Sequence, residues 1–119
     1  MMRILVVDDH ILFREGITSL LNKQSDITVV GGASSAEEAI TQARLLHPDV
    51  VLMDFNLSNG TGLDATRAIL AEAPSTKIIF LTVHEEDERL FQAISHGAKG
   101  YLLKNTPITE LLPPSQRSR

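Results

Sequence analysis

Ile4-Leu5-Val6-Val7-Asp8-Asp9 runs from an unbroken apolar segment straight into two acids. An apolar run with no polar residue at alternate positions is the pattern of a parallel strand covered on both faces. The pattern recurs. Val50-Val51-Leu52-Met53 ends in Asp54, Ile78-Ile79-Phe80-Leu81 ends in Thr82, and the shorter Tyr101-Leu102-Leu103 ends in Lys104. In open α/β sheets the ligand crevice lies beyond the carboxyl ends of the strands. These runs would therefore bring three acids, a hydroxyl and an amine to one edge of one sheet.

Between the runs the apolar spacing turns helical. Ile11, Leu12, Phe13, Ile17, Leu20 and Leu21 predict an amphipathic helix over about residues 10–22. A second strand over 27–30 is expected to close at Gly31-Gly32. Ser34 and Ser35, each followed three residues on by Glu37 or Glu38, give overlapping capping boxes for a helix over about 35–47 that Pro48 stops. After Asp54 a loop with Asn56, Ser58, Asn59, Gly60 and Gly62 leads to a helix carrying Leu63, Ala65, Ile69 and Leu70 and ending before Pro74. A strand over 77–82 follows. Residues 85–96 read as a fourth helix with Leu90, Phe91 and Ile94 inward and Gly97 as its left-handed cap. Its acidic opening, Glu85-Glu86-Asp87-Glu88, suits a helix N-terminus. The last strand is expected over 100–103. A fifth helix can begin at Thr106-Pro107, but Pro113-Pro114 ends it after barely two turns.

This βα alternation predicts one doubly wound parallel sheet with right-handed crossovers. At 119 residues the chain is one domain, expected over 1–112 with a polar tail or linker start at 113–119. The formal charge of -4 offers no basic field for a phosphate backbone, so this chain alone is not expected to bind nucleic acid. No apolar run is long enough for a membrane span, and none forms a signal-peptide core. With no cysteine to form disulfides, the expectation is a cytoplasmic protein without membrane contact.

The chain resembles the receiver domain of bacterial two-component response regulators. The resemblance is carried by Val6-Val7-Asp8-Asp9-His10, Leu52-Met53-Asp54, Leu81-Thr82 and Gly97-Ala98-Lys99-Gly100-Tyr101-Leu102-Leu103-Lys104, in that order. It implies a flavodoxin-like five-stranded sheet of order 2-1-3-4-5 with helices on both faces, the fifth helix being short here. Asn59-Gly60-Thr61-Gly62-Leu63 and Asn105-Thr106-Pro107 look most like the NarL/FixJ group, whose members add a LuxR-type helix-turn-helix. DNA binding and transcription control would then belong to a segment this chain does not include.

The chemistry explains the residue types. A carboxylate can attack phosphorus and hold the phosphoryl group as an acyl phosphate, and Asp54 is the candidate nucleophile. Crowded acids call for a hard divalent cation, for which Mg²⁺ is suited. The resemblance implies Asp9 and Asp54 as direct ligands, the Asn56 backbone carbonyl as a third, and Asp8 acting directly or through water. Lys104 would meet one phosphoryl oxygen and the Thr82 hydroxyl another. Tyr101 would move into the space that Thr82 vacates on switching. The resemblance also implies that Asn56 and His84 stand where the family tunes loss of the phosphoryl group to water. The implied donor is a sensor histidine kinase, and homodimerisation is expected on activation.

His47 and His96 read as helix-end residues and His10 as a helix start that could also touch a kinase. The four histidines are not expected to form a ligand set. Ser58 and Asn105 stand where many receivers have proline. Pro113-Pro114 leaves Ile108, Leu111 and Leu112 to cover the sheet, which predicts self-association or lowered stability. Two rival readings are a haloacid-dehalogenase-like aspartyl-phosphate phosphatase and a phosphate-independent binding module. The former needs its acids two residues apart after the first strand, whereas Asp8 and Asp9 are adjacent.

Overall fold

A computed structural model of the chain describes residues 1–57, 62–82 and 99–103, with 102 and 103 described by backbone alone. The order is β1 (Met2–Val7), α1 (Ile11–Asn22), β2 (Ile27–Ala33), α2 (Ala36–Leu46), β3 (Val50–Asp54), α3 (Gly62–Glu72), β4 (Lys77–Thr82) and β5 (Gly100–Leu103). All four strand pairings are parallel, and the five strands lie in the order β2-β1-β3-β4-β5. This is the flavodoxin-like arrangement that the resemblance to receiver domains implies. The expected helices over 85–96 and from Thr106 lie outside the described residues, as do Gly97 and the two prolines that follow the second of these helices.

Each apolar run divides its residues between two cores, because successive strand side chains point to opposite faces. Leu5, Val7, Val51, Met53, Ile78 and Phe80 join Ala39 and Ala43 of α2 and Ala65 and Ile69 of α3. Ile4, Val6, Val50, Leu52 and Leu81 instead meet Ile17 and Leu21 of α1. Burying one such aliphatic side chain contributes about 1.5–3 kcal/mol, so both faces must be covered for the sheet to hold. In α1 the buried residues are Ile17 and Leu21, with Phe13 packed against the same core and Leu20 half-buried, while Ile11 and Leu12 are exposed. That corrects the six-residue apolar face read from sequence. At 100° per residue, positions 11 and 12 fall outside the arc that the other four share.

Two boundaries also differ from expectation. β2 continues through Gly31 and Gly32 to Ala33, since both glycines pair in register with Leu5 and Val6 of β1. The register shifts between Ile4 and Leu5, leaving Val30 as an extra residue in β2. Gly62 is the first residue of α3 and not a loop residue. A Cβ there would stand 2.9 Å from the Asp54 carbonyl oxygen, so only glycine lets α3 start this close to the end of β3.

Capping follows the sequence closely. Ser35 is the N-cap of α2, its Oγ accepting from the Glu38 N–H at 3.1 Å, while Glu38 Oε1 accepts from the Ser34 N–H at 2.9 Å. α2 ends at His47, which takes the left-handed conformation with φ 49° immediately before Pro48.

Candidate functional site

β1 and β3 are adjacent and parallel, with Val7 opposite Met53, so the residues that follow them emerge at one edge. Asp8 and Asp54 are buried there, at 0% and 1% exposure, whereas Asp9 and His10 are exposed. Backbone bonds fix the strand ends: the Asp8 N–H donates to the Ala33 carbonyl at 3.0 Å and the Phe55 N–H to the Leu81 carbonyl at 2.8 Å. The Arg14 guanidinium reaches up from α1 and donates to the Asp8 carbonyl at 2.5 Å. Below the edge, Phe55 and Phe80 pack edge to face with centroids 5.3 Å apart.

The carboxylates are held by local turns. Asp8 Oδ1 accepts from the His10 N–H at 2.8 Å, and Asp54 Oδ1 accepts from the Asn56 N–H at 3.0 Å. Each is an acid accepting from the backbone two residues on, which aims the side chain at the start of the following turn. The His10 ring joins them, with Nδ1 3.0 Å from Asp8 Oδ1 and 3.3 Å from Asp9 Oδ1.

Asp8, Asp9, His10 and Asp54 can each offer one ligand atom, and those atoms lie within 4.8 Å of one another. Three carboxylate oxygens at that spacing suit a hard divalent cation, which would offset their mutual repulsion. The donor chemistry therefore fits Mg²⁺. Among the described residues His10 is the histidine that stands with these acids. The signal available in the sequence was its place directly after the acid pair.

Thr82 ends β4, buried at 1% exposure. Its strand lies next to β3, with Asp54 opposite Leu81, so Thr82 follows the residue that faces Asp54. Tyr101 stands opposite Phe80 in β5, half-buried against the core of the α2 and α3 side. Asn56 is exposed just beyond Asp54. Lys104, His84, Ser58 and Asn105 lie outside the described residues.

The sequence profile described as the response regulator receiver domain matches residues 4–113. The chain belongs to that family. This receiver is 43% identical over 112 residues to the oxygen regulatory protein NreC of Staphylococcus aureus, an alignment covering 93% of this chain and 52% of NreC. The receiver thus spans about half the length of that curated relative. A crystal structure of a LuxR-family two-component response regulator from Aurantimonas sp. SI85-9A1 superposes with a TM-score of 0.84 at 36% identity, covering 92% of this chain and 78% of the other. The signal receiver domain assigned to response regulator NarL of Mycobacterium tuberculosis gives a TM-score of 0.85 at 33% identity, covering 92% and 89%. Like them, this receiver is a signalling module and not an enzyme in the ordinary sense. No described helix is long and apolar enough to cross a membrane.

Proposed function

We propose that this receiver accepts a phosphoryl group on Asp54 from a phosphohistidine of a sensor histidine kinase. The observation that carries the reading is the convergence of Asp8, Asp9 and Asp54, with ligand atoms within 4.8 Å of one another, at the carboxyl edge of the sheet. An Asp54 oxygen attacks phosphorus, the bond from phosphorus to the donor imidazole nitrogen breaks, and that nitrogen leaves with its electron pair. Mg²⁺, once bound, would supply positive charge against the phosphoryl oxygens. Asp8, Asp9, Asp54 and the Asn56 backbone carbonyl are the residues that would hold it.

Charge on the transferring group spreads over three oxygens, so the protein acts mainly by positioning and neutralisation. Lys104 meets one oxygen as a compact ammonium and the Thr82 hydroxyl donates to another. Asn56 and His84 govern how readily water removes the group. Drawing Thr82 toward the phosphate leaves space on the β4–β5 side, which the Tyr101 ring takes up. That shift biases an output surface and favours a homodimer. The receiver occupies residues 1–112 in this reading, with 113–119 leading into a linker. Similarity to NreC and to LuxR-family regulators supports a DNA-binding output in a segment beyond this chain, within a cytoplasmic transcription regulator.

The test is intact-mass analysis after incubation with acetyl phosphate. One phosphoryl mass is expected with Mg²⁺, lost when the metal is chelated and removed by hydroxylamine, which cleaves acyl phosphates but not serine or threonine esters. A hydroxylamine-resistant adduct, or labelling indifferent to chelation, would contradict the proposal. No labelling at all would favour the phosphate-independent binding module.

A further inference from the structure

His10 is the member of the acid pocket that the phosphoryl-transfer reading leaves without a task. It occupies the N-cap of α1, yet its side chain makes no capping hydrogen bond. The ring turns back instead, with Nδ1 within hydrogen-bond distance of Asp8 Oδ1 at 3.0 Å and 3.3 Å from Asp9 Oδ1, while 71% of the side chain faces solvent. In an octahedron with bonds of about 2.1 Å, adjacent ligand atoms lie about 3.0 Å apart and opposite ones about 4.2 Å. The separations of Nδ1 from the two carboxylates are those of a hydrogen bond and an ion pair, and they also match the spacing of adjacent ligand positions. An ion that sends the Nδ1 proton to water therefore takes its place with little movement of the ring. The full set, within 4.8 Å, needs only a small contraction to close around one ion.

We propose that His10 Nδ1 is a direct ligand of this site, giving it an imidazole and three carboxylates and a preference for Co²⁺, Ni²⁺ or Zn²⁺ over Mg²⁺. Imidazole nitrogen suits those borderline cations, whereas Mg²⁺ is served by oxygen and water and gains little from it. The exposed ring also gives an ion an open path to the buried Asp8 and Asp54 carboxylates. The site would then hold Mg²⁺ when that is abundant and exchange it for a transition ion at far lower concentration. The inference rests on the acid pocket being a divalent-cation site, and the experiment separates the two.

Co²⁺ and Mg²⁺ are titrated by calorimetry at one fixed pH into the wild type, His10→Ala, His47→Asn and Asp9→Ala, with the visible spectrum of bound Co²⁺ recorded in parallel. His47→Asn controls for surface imidazoles and keeps a residue that tolerates the left-handed conformation. The expected result is a loss of Co²⁺ affinity of about tenfold or more in His10→Ala, with a changed visible band and Mg²⁺ affinity within about twofold of wild type. His47→Asn should match the wild type for both ions. Unchanged Co²⁺ affinity in His10→Ala, or equal losses for Co²⁺ and Mg²⁺, would overturn the ligand assignment while leaving the acid pocket intact. Wild-type Mg²⁺ binding by Asp9→Ala would overturn the pocket itself, and the assignment with it.

Discussion

At the amino edge of the sheet Asp49 ties β3 to β1, whereas at the far end of the same strand Asp54 is gathered with two further acids. Asp49 Oδ2 accepts from the Arg3 N–H at 2.8 Å, its own N–H donates to the Arg3 carbonyl at 2.8 Å, and its carbonyl accepts from Lys77 N–H at 3.0 Å. The Arg3 guanidinium also donates to the Leu46 carbonyl, closing that edge against the end of α2. At the carboxyl edge the same residue type is concentrated, with ligand atoms of Asp8, Asp9 and Asp54 within 4.8 Å of one another. One edge uses an acid to complete backbone pairing. The other collects acids whose mutual repulsion a bound cation would offset, the relation expected between the proposed site and the scaffold beneath it.

The largest effect should come from the packing that supports the carboxyl edge. Phe80 is fully buried, and its ring meets that of Phe55, the neighbour of Asp54. Phe80→Ala should lower unfolding free energy by about 3–5 kcal/mol in urea titrations. A loss below 1 kcal/mol would mean that this edge is not held from beneath as described. Next, the two aspartates should respond in opposite senses. Without metal, Asp54→Asn should stabilise by about 0.5–2 kcal/mol through relief of like-charge crowding, and addition of Mg²⁺ should narrow the gap by stabilising the wild type. Asp49→Ala should destabilise by about 0.5–1.5 kcal/mol through the lost bond to Arg3. Same-sign changes in thermal melts of the two variants would erase the contrast between the edges.

The smallest effect belongs to the Arg44 and Glu72 pair, which joins the last turns of α2 and α3 with bonds of 3.0–3.1 Å. With side chains 60% and 52% exposed, its coupling in a double-mutant cycle should be about 0.2–1 kcal/mol and should shrink in high salt. A coupling of several kcal/mol would show that the amino edge depends on side-chain charge more than on the backbone pairing of Asp49.

Much of this contrast was legible in the sequence because an apolar run that ends in an acid marks both the strand and its carboxyl end. Asp8, Asp9 and Asp54 could be placed on one edge from their positions at strand ends alone, as could Thr82. What escaped was decided by contacts between distant segments. Gly31 and Gly32 looked like a strand stop, yet β1 supplies partners that carry β2 on to Ala33. Gly62 looked like loop, but the nearby Asp54 carbonyl leaves room for no Cβ there. His10 looked like a helix start, and it is one, but local sequence does not say which way a ring will turn. The roles of Lys104 and His84 rest on family resemblance alone, because those residues lie outside the described part of the structure.

Labelling of Asp54→Asn beside Asp49→Asn tests the central claim most directly, since both variants remove one negative charge from opposite ends of β3. After acetyl phosphate and Mg²⁺, the intact mass of Asp49→Asn should rise by one phosphoryl group as in the wild type, and that of Asp54→Asn should not change. A full adduct on Asp54→Asn would contradict the account.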